Sequence, residues 1–157
     1  MGMNRFGERF ERYLENEIII DFKTCAYFFC MAFFYCCYRI SQGSFQASIV
    51  FLFEMIVDAY VVGYIQVYLF HNFDEAPGIG RREAAGLLVC SLIHGLAAHL
   101  LGWFDGKRKA AVWFTLFMAV CYLTLYVCNR IRRRVDTEKL NRMLAEFKKE
   151  EHRHGEK

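Results

Sequence analysis

Four stretches of the chain, residues 22–40, 45–70, 84–104 and 110–128, are almost continuously apolar. Each is near the roughly 20 residues that a helix needs to cross the hydrocarbon core of a bilayer. The spacers are short: 41–44, then 71–83 containing Pro77-Gly78, then 105–109 containing Gly106. Such connections oblige neighbouring helices to run antiparallel. The pattern predicts an all-α, polytopic membrane protein with four transmembrane helices over 22–128, flanked by an N-terminal segment (1–21) and a C-terminal one (129–157).

Both flanks carry helical periodicity of another kind. Phe6, Phe10, Tyr13 and Leu14 recur opposite Arg5, Glu8, Arg9, Glu11 and Arg12, which predicts an amphipathic helix on the membrane surface. At the other end Leu140, Met143, Leu144 and Phe147 form one stripe of a charged helix whose N-cap is expected at Asp136 or Thr137. That stripe can fold onto the leaflet or the middle loop, or it can dock a protein partner.

Composition agrees with lipid as solvent: 55% of residues are hydrophobic, 17% are aromatic and there is one proline. Mean hydropathy is only +0.14 because charge is segregated into tails and loops. Basic residues stay cytoplasmic. Sixteen of the 20 Lys and Arg fall in the N-terminal segment (with Lys23 at its boundary), the middle loop (Arg81, Arg82) and the C-terminal segment, while Arg39, Lys107, Arg108 and Lys109 take the other side. Both termini are therefore expected in the cytoplasm, with the chain in the plasma membrane. Trp103 and Trp113 are expected at the outer interface, where indole rings prefer to sit. Phe6 stands where a myristoylation signal wants Ser or Thr, and the first apolar run lacks a small-x-small cleavage site, so neither lipidation nor a cleaved signal is read here.

The seven cysteines lie in or at the ends of apolar runs and none has C-x-x-C spacing, so they read as small hydrophobes rather than as disulfides or a zinc site. Glu54 and Asp58, four residues apart, share one face deep in the second helix. Such carboxylates need partners. Antiparallel packing brings Asp58 to the depth of His94 and Glu54 nearer His99, so at least one carboxylate–histidine pair is expected across this interface. The pair reads as a polar clasp between helices, or as a proton-responsive site. Metal binding is the weakest reading, because histidines five apart on a helix point about 140° from each other, and no metal or cofactor is assigned. Ala84, Ser91, Gly95, Ala98 and Gly102 form a narrow stripe of small residues on the third helix, suited to close packing within the chain or in a homo-oligomer.

Arg130, Arg132, Arg133 and Arg134 follow the last apolar run directly. Beyond Val135 basic and acidic residues balance, leaving no extended face to track nucleic-acid phosphates. A stop-transfer cluster facing anionic lipid is the better account. No nucleophile motif, phosphate loop or H-E-x-x-H helix is present, so no enzyme is read.

The segments Leu92-Ile93-His94 and Leu101-Gly102-Trp103-Phe104, a fourth span ending in Asn129-Arg130, and a tail reading Glu138-Lys139-Leu140-Asn141 carry a resemblance. Over its last half the chain resembles a bacterial family of small four-helix membrane proteins, some of which are the membrane inhibitors of LytTR regulatory systems. The first half matches in hydropathy alone. The resemblance implies a protein that antagonises a companion transcription regulator with a LytTR DNA-binding domain, by holding it at the membrane or otherwise keeping it inactive. The family pattern falls on His94, Gly102, Trp103 and Phe104, and does not include the acidic pair Glu54 and Asp58. From a different class, the membrane carboxylates leave open a small proton-coupled transporter or channel. The basic bias argues against a dual-topology transporter.

Overall fold

The structure is a computed structural model that describes residues 3–70, 72–76, 78 and 80–155. It is all-helical, with no strand among the described residues. Four helices follow in order: α1 (Met3–Ser41), α2 (Ile49–Tyr64), α3 (Arg81–Leu100) and α4 (Arg108–Gly155). A π-helical turn, Ile65–Leu69, continues α2, and a 3-10 turn, Phe73–Glu75, lies between α2 and α3. Each helix, α2 together with its π-helical turn, supplies a segment long and apolar enough to cross a membrane, namely Tyr13–Ser41, Ile49–Leu69, Arg81–Leu100 and Arg108–Lys148. Pro77 of the second connection, and the side chains of Arg5, Phe6, Glu8, Arg9 and Arg12 from the expected N-terminal amphipathic pattern, lie outside the described residues.

The helix ends differ from the sequence pattern for local reasons. α2 begins at Ile49 rather than 45 because Ser48, in extended conformation, accepts a hydrogen bond from the Phe51 N–H and caps the helix. Hydropathy is blind to that cap. α3 stops at Leu100 rather than 104 because Gly102 takes a left-handed conformation (φ 74°). The Trp103 N–H then returns to the Ala98 carbonyl at 3.1 Å, closing a Schellman turn. No break separates either terminal segment from the helix beside it. Asp136 and Thr137 consequently do not cap a new helix: the Thr137 hydroxyl donates to the Arg133 carbonyl inside α4, and Asp136 lies 4.0 Å from Arg132 one turn back.

Packing follows the antiparallel order. α1 lies against α2 and α3 against α4, and α2–α3 and α1–α4 contacts close the bundle. Residues three and four apart fill the core: Tyr27, Met31 and Tyr35 from α1, Met55, Ala59 and Val62 from α2, and Phe114, Met118 and Tyr122 from α4. The outer faces are apolar too, with Phe29, Phe33, Phe53, Leu92, Leu96 and Val120 all exposed. A helix apolar on every side is what a lipid-facing bundle requires, whereas a water-soluble one would show a polar face.

The stripe of small residues on α3 is mostly inside the bundle. Ser91, Gly95 and Ala98 are buried and Ala84 is half-buried, but Gly102 lies beyond the helix end and serves the turn instead. Gly86, outside the expected stripe, is also buried, against Phe73 and Phe70. At Gly95 the α4 side chain of Thr115 occupies the space that a Cβ would need. Gly95→Ala should therefore lower stability in detergent by roughly 1–3 kcal/mol, the usual cost of overpacking. Adding Thr115→Ala should recover part of that loss in thermal unfolding, and an unchanged midpoint for Gly95→Ala alone would show that α3 and α4 are not this close.

Candidate functional site

Polar side chains from all four helices meet inside the bundle as two hydrogen-bonded chains. In the first, Asp58 of α2 lies 2.5 Å from His94 of α3, through Oδ2 and Nδ1. His94 Nε2 lies 2.9 Å from the Tyr122 hydroxyl of α4. All three residues are buried. With an ionised carboxylate at Asp58, the contact assigns the ring proton to Nδ1, donated to Asp58. Nε2 is then free to accept from the Tyr122 O–H. One neutral tautomer satisfies both contacts.

The second chain starts at Lys23 of α1, whose ammonium donates to Asp74 in the 3-10 turn. Asp74 also accepts from the Gln66 amide N–H at 2.7 Å, and Gln66 Oε1 accepts from the Tyr27 hydroxyl at 2.5 Å. The π-helical turn brings this about. Gln66 sits within Ile65–Leu69, where the altered helical phase turns one amide inward from an otherwise apolar run. Asn129 of α4 donates to the Asp74 backbone carbonyl at 3.4 Å, which fastens the α2–α3 connection to α4. The two chains come together at Tyr27, whose ring centroid is 4.7 Å from that of Tyr122 and 6.1 Å from that of His94.

The other expected site residues separate. Glu54 does not meet His99, which is exposed. Its Oε2 accepts instead from the Trp103 indole N–H at 2.9 Å. Trp103 is wholly buried against Phe114 at the end of the bundle where α3 turns into α4, whereas Trp113 is exposed. The cause is the turn at Gly102, which sends Trp103 and Phe104 back under the bundle, where the Tyr38 hydroxyl donates to the Phe104 carbonyl at 3.1 Å. His94, Gly102, Trp103 and Phe104 thus divide between the buried histidine and the turn that ends α3. Leu140, Met143, Leu144 and Phe147 are all exposed on the part of α4 that runs past the bundle, as are Arg130, Arg132, Arg133 and Arg134.

Two openings approach the buried chains. A groove of about 410 Å³ between α2 and α3 has Glu54 and Asp58 on a wall otherwise made by Phe53, Val57, Val61, Ala97 and Leu101. A cleft of about 270 Å³ between α1 and α4 reaches Lys23 and Asp74, with Asn129 and Arg132 on its lining. In the sequence Lys23 reads as a boundary charge, and Asp74, Gln66, Tyr27 and Tyr122 are not among the expected site residues. The available signal was that a polar group inside an apolar run must find a partner on another helix. Among the described residues no three His, Cys, Asp or Glu side chains converge on a point where a metal ion could sit.

Chemically, the first chain places an acceptor, Asp58, at one nitrogen of the imidazole and a donor, the Tyr122 hydroxyl, at the other, and the second satisfies a buried ammonium and carboxylate together. Comparison of the chain with protein-family models, with curated proteins and with solved structures finds no match in any of the three. Because Asp58 and His94 satisfy one another inside the bundle, Asp58→Asn and His94→Gln should each destabilise the protein. A loss of about 1–3 kcal/mol per variant is expected. In chemical unfolding in detergent the double variant should lose clearly less than the sum of the two, while strictly additive losses would show that the pair does not interact.

Proposed function

We propose that the chain is an integral membrane protein with four crossings and both termini in the cytoplasm, acting as a regulatory interaction protein. The arm that would engage its partner is the end of α4. The observation that carries this reading is the unbroken course of α4 from Arg108 to Gly155, 48 residues. At 1.5 Å per residue it is about 72 Å long, more than twice the hydrocarbon thickness. Leu140, Met143, Leu144 and Phe147 are carried beyond the bundle on this extension with their apolar surface exposed. Aliphatic and aromatic anchors at spacings of three and four, with charges on the remaining face, fit the groove of a soluble partner. The balance of charge after Val135, with Glu146, Glu150 and Glu151 among the acidic residues, disfavours laying the same face on anionic lipid.

The resemblance of the last half of the chain to the inhibitors of LytTR regulatory systems supplies the class of partner: a soluble transcription regulator with a LytTR DNA-binding domain, antagonised by retention at the membrane. The sixteen-to-four partition of Lys and Arg supports the same sidedness for both tails and for the middle loop. One observation favours a second reading. The Asp58–His94–Tyr122 chain borders a groove between α2 and α3, which suits a proton-coupled transporter or channel.

Topology is tested by labelling single cysteines introduced into a background lacking the native ones. Positions at Gly43 and Gly106 should react from outside the cell and one at Gly78 only from inside; a Gly106 site reached only from the cytoplasm would overturn the four-span arrangement. Function is tested on the arm. Each apolar contact that it buries is worth roughly 1.5–3 kcal/mol, so Leu144→Asp together with Phe147→Asp should weaken partner binding about a hundredfold or more. In cell fractionation a co-expressed LytTR-domain regulator should leave the membrane fraction and its target genes should rise, with the variant inserted at its normal level. A regulator that stays bound and silent would exclude the arm as its dock. Proton uptake into vesicles that disappears with Asp58→Asn, while the arm variant retains it, would favour the second reading over the first.

A further inference from the structure

Arg130, Arg132, Arg133 and Arg134 look alike in the sequence and are not alike in space. At about 100° per residue, Arg130, Arg133 and Arg134 share one face of α4, and Arg132 lies about 160° round from Arg130. Their surroundings divide in the same way. Arg130, Arg133, Arg134, Thr137 and Glu138 line an open concavity of about 540 Å³ that Ala76 of the α2–α3 connection borders on its other side. Arg132 lines the separate cleft facing α1, and lies 4.0 Å from Asp136.

The concavity is a built feature. Its far wall is held to α4 by the Asn129 side chain on the Asp74 carbonyl and by Phe73 packed on Tyr122, ring centroids 5.6 Å apart. Its volume lies in the range of small-ligand sites. The Thr137 hydroxyl is turned to the Arg133 carbonyl, so the guanidiniums of Arg130 and Arg134 are donors it presents. Guanidinium forks match phosphate oxygens, often two bonds at a time.

The polarity along α4 names the kind of phosphate. On the same face as Arg130 and Arg134, one and two turns back towards the middle of the bundle, Leu123 and Val127 are exposed and apolar. Past the arginines, on the side away from the bundle, stands Glu138. A ligand matching this order has an apolar tail against Leu123 and Val127, an anionic phosphate at the arginines, and no negative charge further out. Free phosphate would leave the apolar part unused.

We propose that this concavity binds the headgroup of an anionic phospholipid, whose phosphate oxygens accept hydrogen bonds from Arg130 and Arg134, with Arg133 on the same wall, while an acyl chain lies along Leu123 and Val127. The assignment rests on the reading of α4 as a bilayer-crossing helix. It differs from the general attraction of a basic cluster to a charged surface, in which all four arginines would count equally.

The test uses the full chain purified in detergent and titrated with phosphatidylglycerol, with retained lipid counted by native mass spectrometry. Arg130→Gln and Arg134→Gln should each weaken retention roughly tenfold, the effect of losing a charge-assisted hydrogen bond. Arg132→Gln removes the same charge and should change it less than twofold. Phosphatidylcholine should not be retained, and glycerophosphate, a headgroup without chains, should not displace the lipid at equal concentration. Equal losses for all three arginine variants, or none for Arg130→Gln with Arg134→Gln, would overturn the site. Displacement by glycerophosphate would overturn the lipid in favour of a soluble phosphate ligand. Resistance of the wild-type chain to alkaline extraction from membranes reads the insertion itself, so a failure there is distinguishable from a failure of the site.

Discussion

A carboxylate within an apolar helix must be met by a donor from another helix, and much of this bundle can be understood from where Asp58 is met. His94 answers it from α3 and Tyr122 completes the imidazole from α4, so one contact chain fixes the rotation of three helices about their own axes. The second chain does the same for α1. Lys23 and Tyr27 reach Asp74 and Gln66, which belong to the end of α2 and to the connection that follows it. Apolar packing between similar helices is tolerant of small rotations, whereas a buried ion pair or a shared imidazole is not. Leaving one member of a buried ion pair such as Lys23 and Asp74 alone costs about 3–5 kcal/mol, and unpairing a neutral imidazole about 1–3 kcal/mol. The polar chains therefore select one arrangement from many that would bury similar apolar area.

Close approach of α3 and α4 is the condition under which these contacts form. Gly95 admits Thr115 where any other residue would hold α4 off. Ser91 and Ala98 continue the narrow surface on either side and are buried. Aromatic rings close the end of the bundle where α3 turns into α4. Trp103, Phe104 and Phe114 pack edge to face or tilted, with centroids 5.3 to 6.0 Å apart, and Glu54 takes the indole proton that burial would otherwise leave unpaired. Both carboxylates of α2 are thereby committed to neighbours, one at the middle of the bundle and one near its end.

The four helices were legible because membrane-crossing length is a property of composition alone, visible in any window of some twenty residues. Asp58 opposite His94 was legible for a related reason: antiparallel helices convert position along the chain into depth. What escaped was whatever depends on local backbone geometry. The Gly102 turn reverses the chain and packs Trp103 among the helices at the end of the bundle. The π-helical turn at Ile65–Leu69 changes the phase of α2, and with it the direction of Gln66. Asp74 sits in what reads as a polar loop, and nothing in its neighbours marks it as the buried partner of Lys23. Charge and periodicity likewise marked terminal helices at both ends, but nothing in either signal says whether a surface helix is separate from the span beside it. Here α1 and α4 continue without a break.

That continuity gives α4 a mechanical character. A hinge would let the far segment move freely of the bundle, whereas an uninterrupted helix behaves as a stiff rod anchored at one end by Phe114, Met118 and Tyr122. About 40 Å of helix lies between Cys128 and Gly155 at 1.5 Å per residue. A tilt of about 10° at the anchored end would displace the tip by about 7 Å at that radius, and a rotation about the axis would turn Leu144 and Phe147 through the same angle as Tyr122. A small tilt at the buried end would thus be carried, magnified, to a surface far from it.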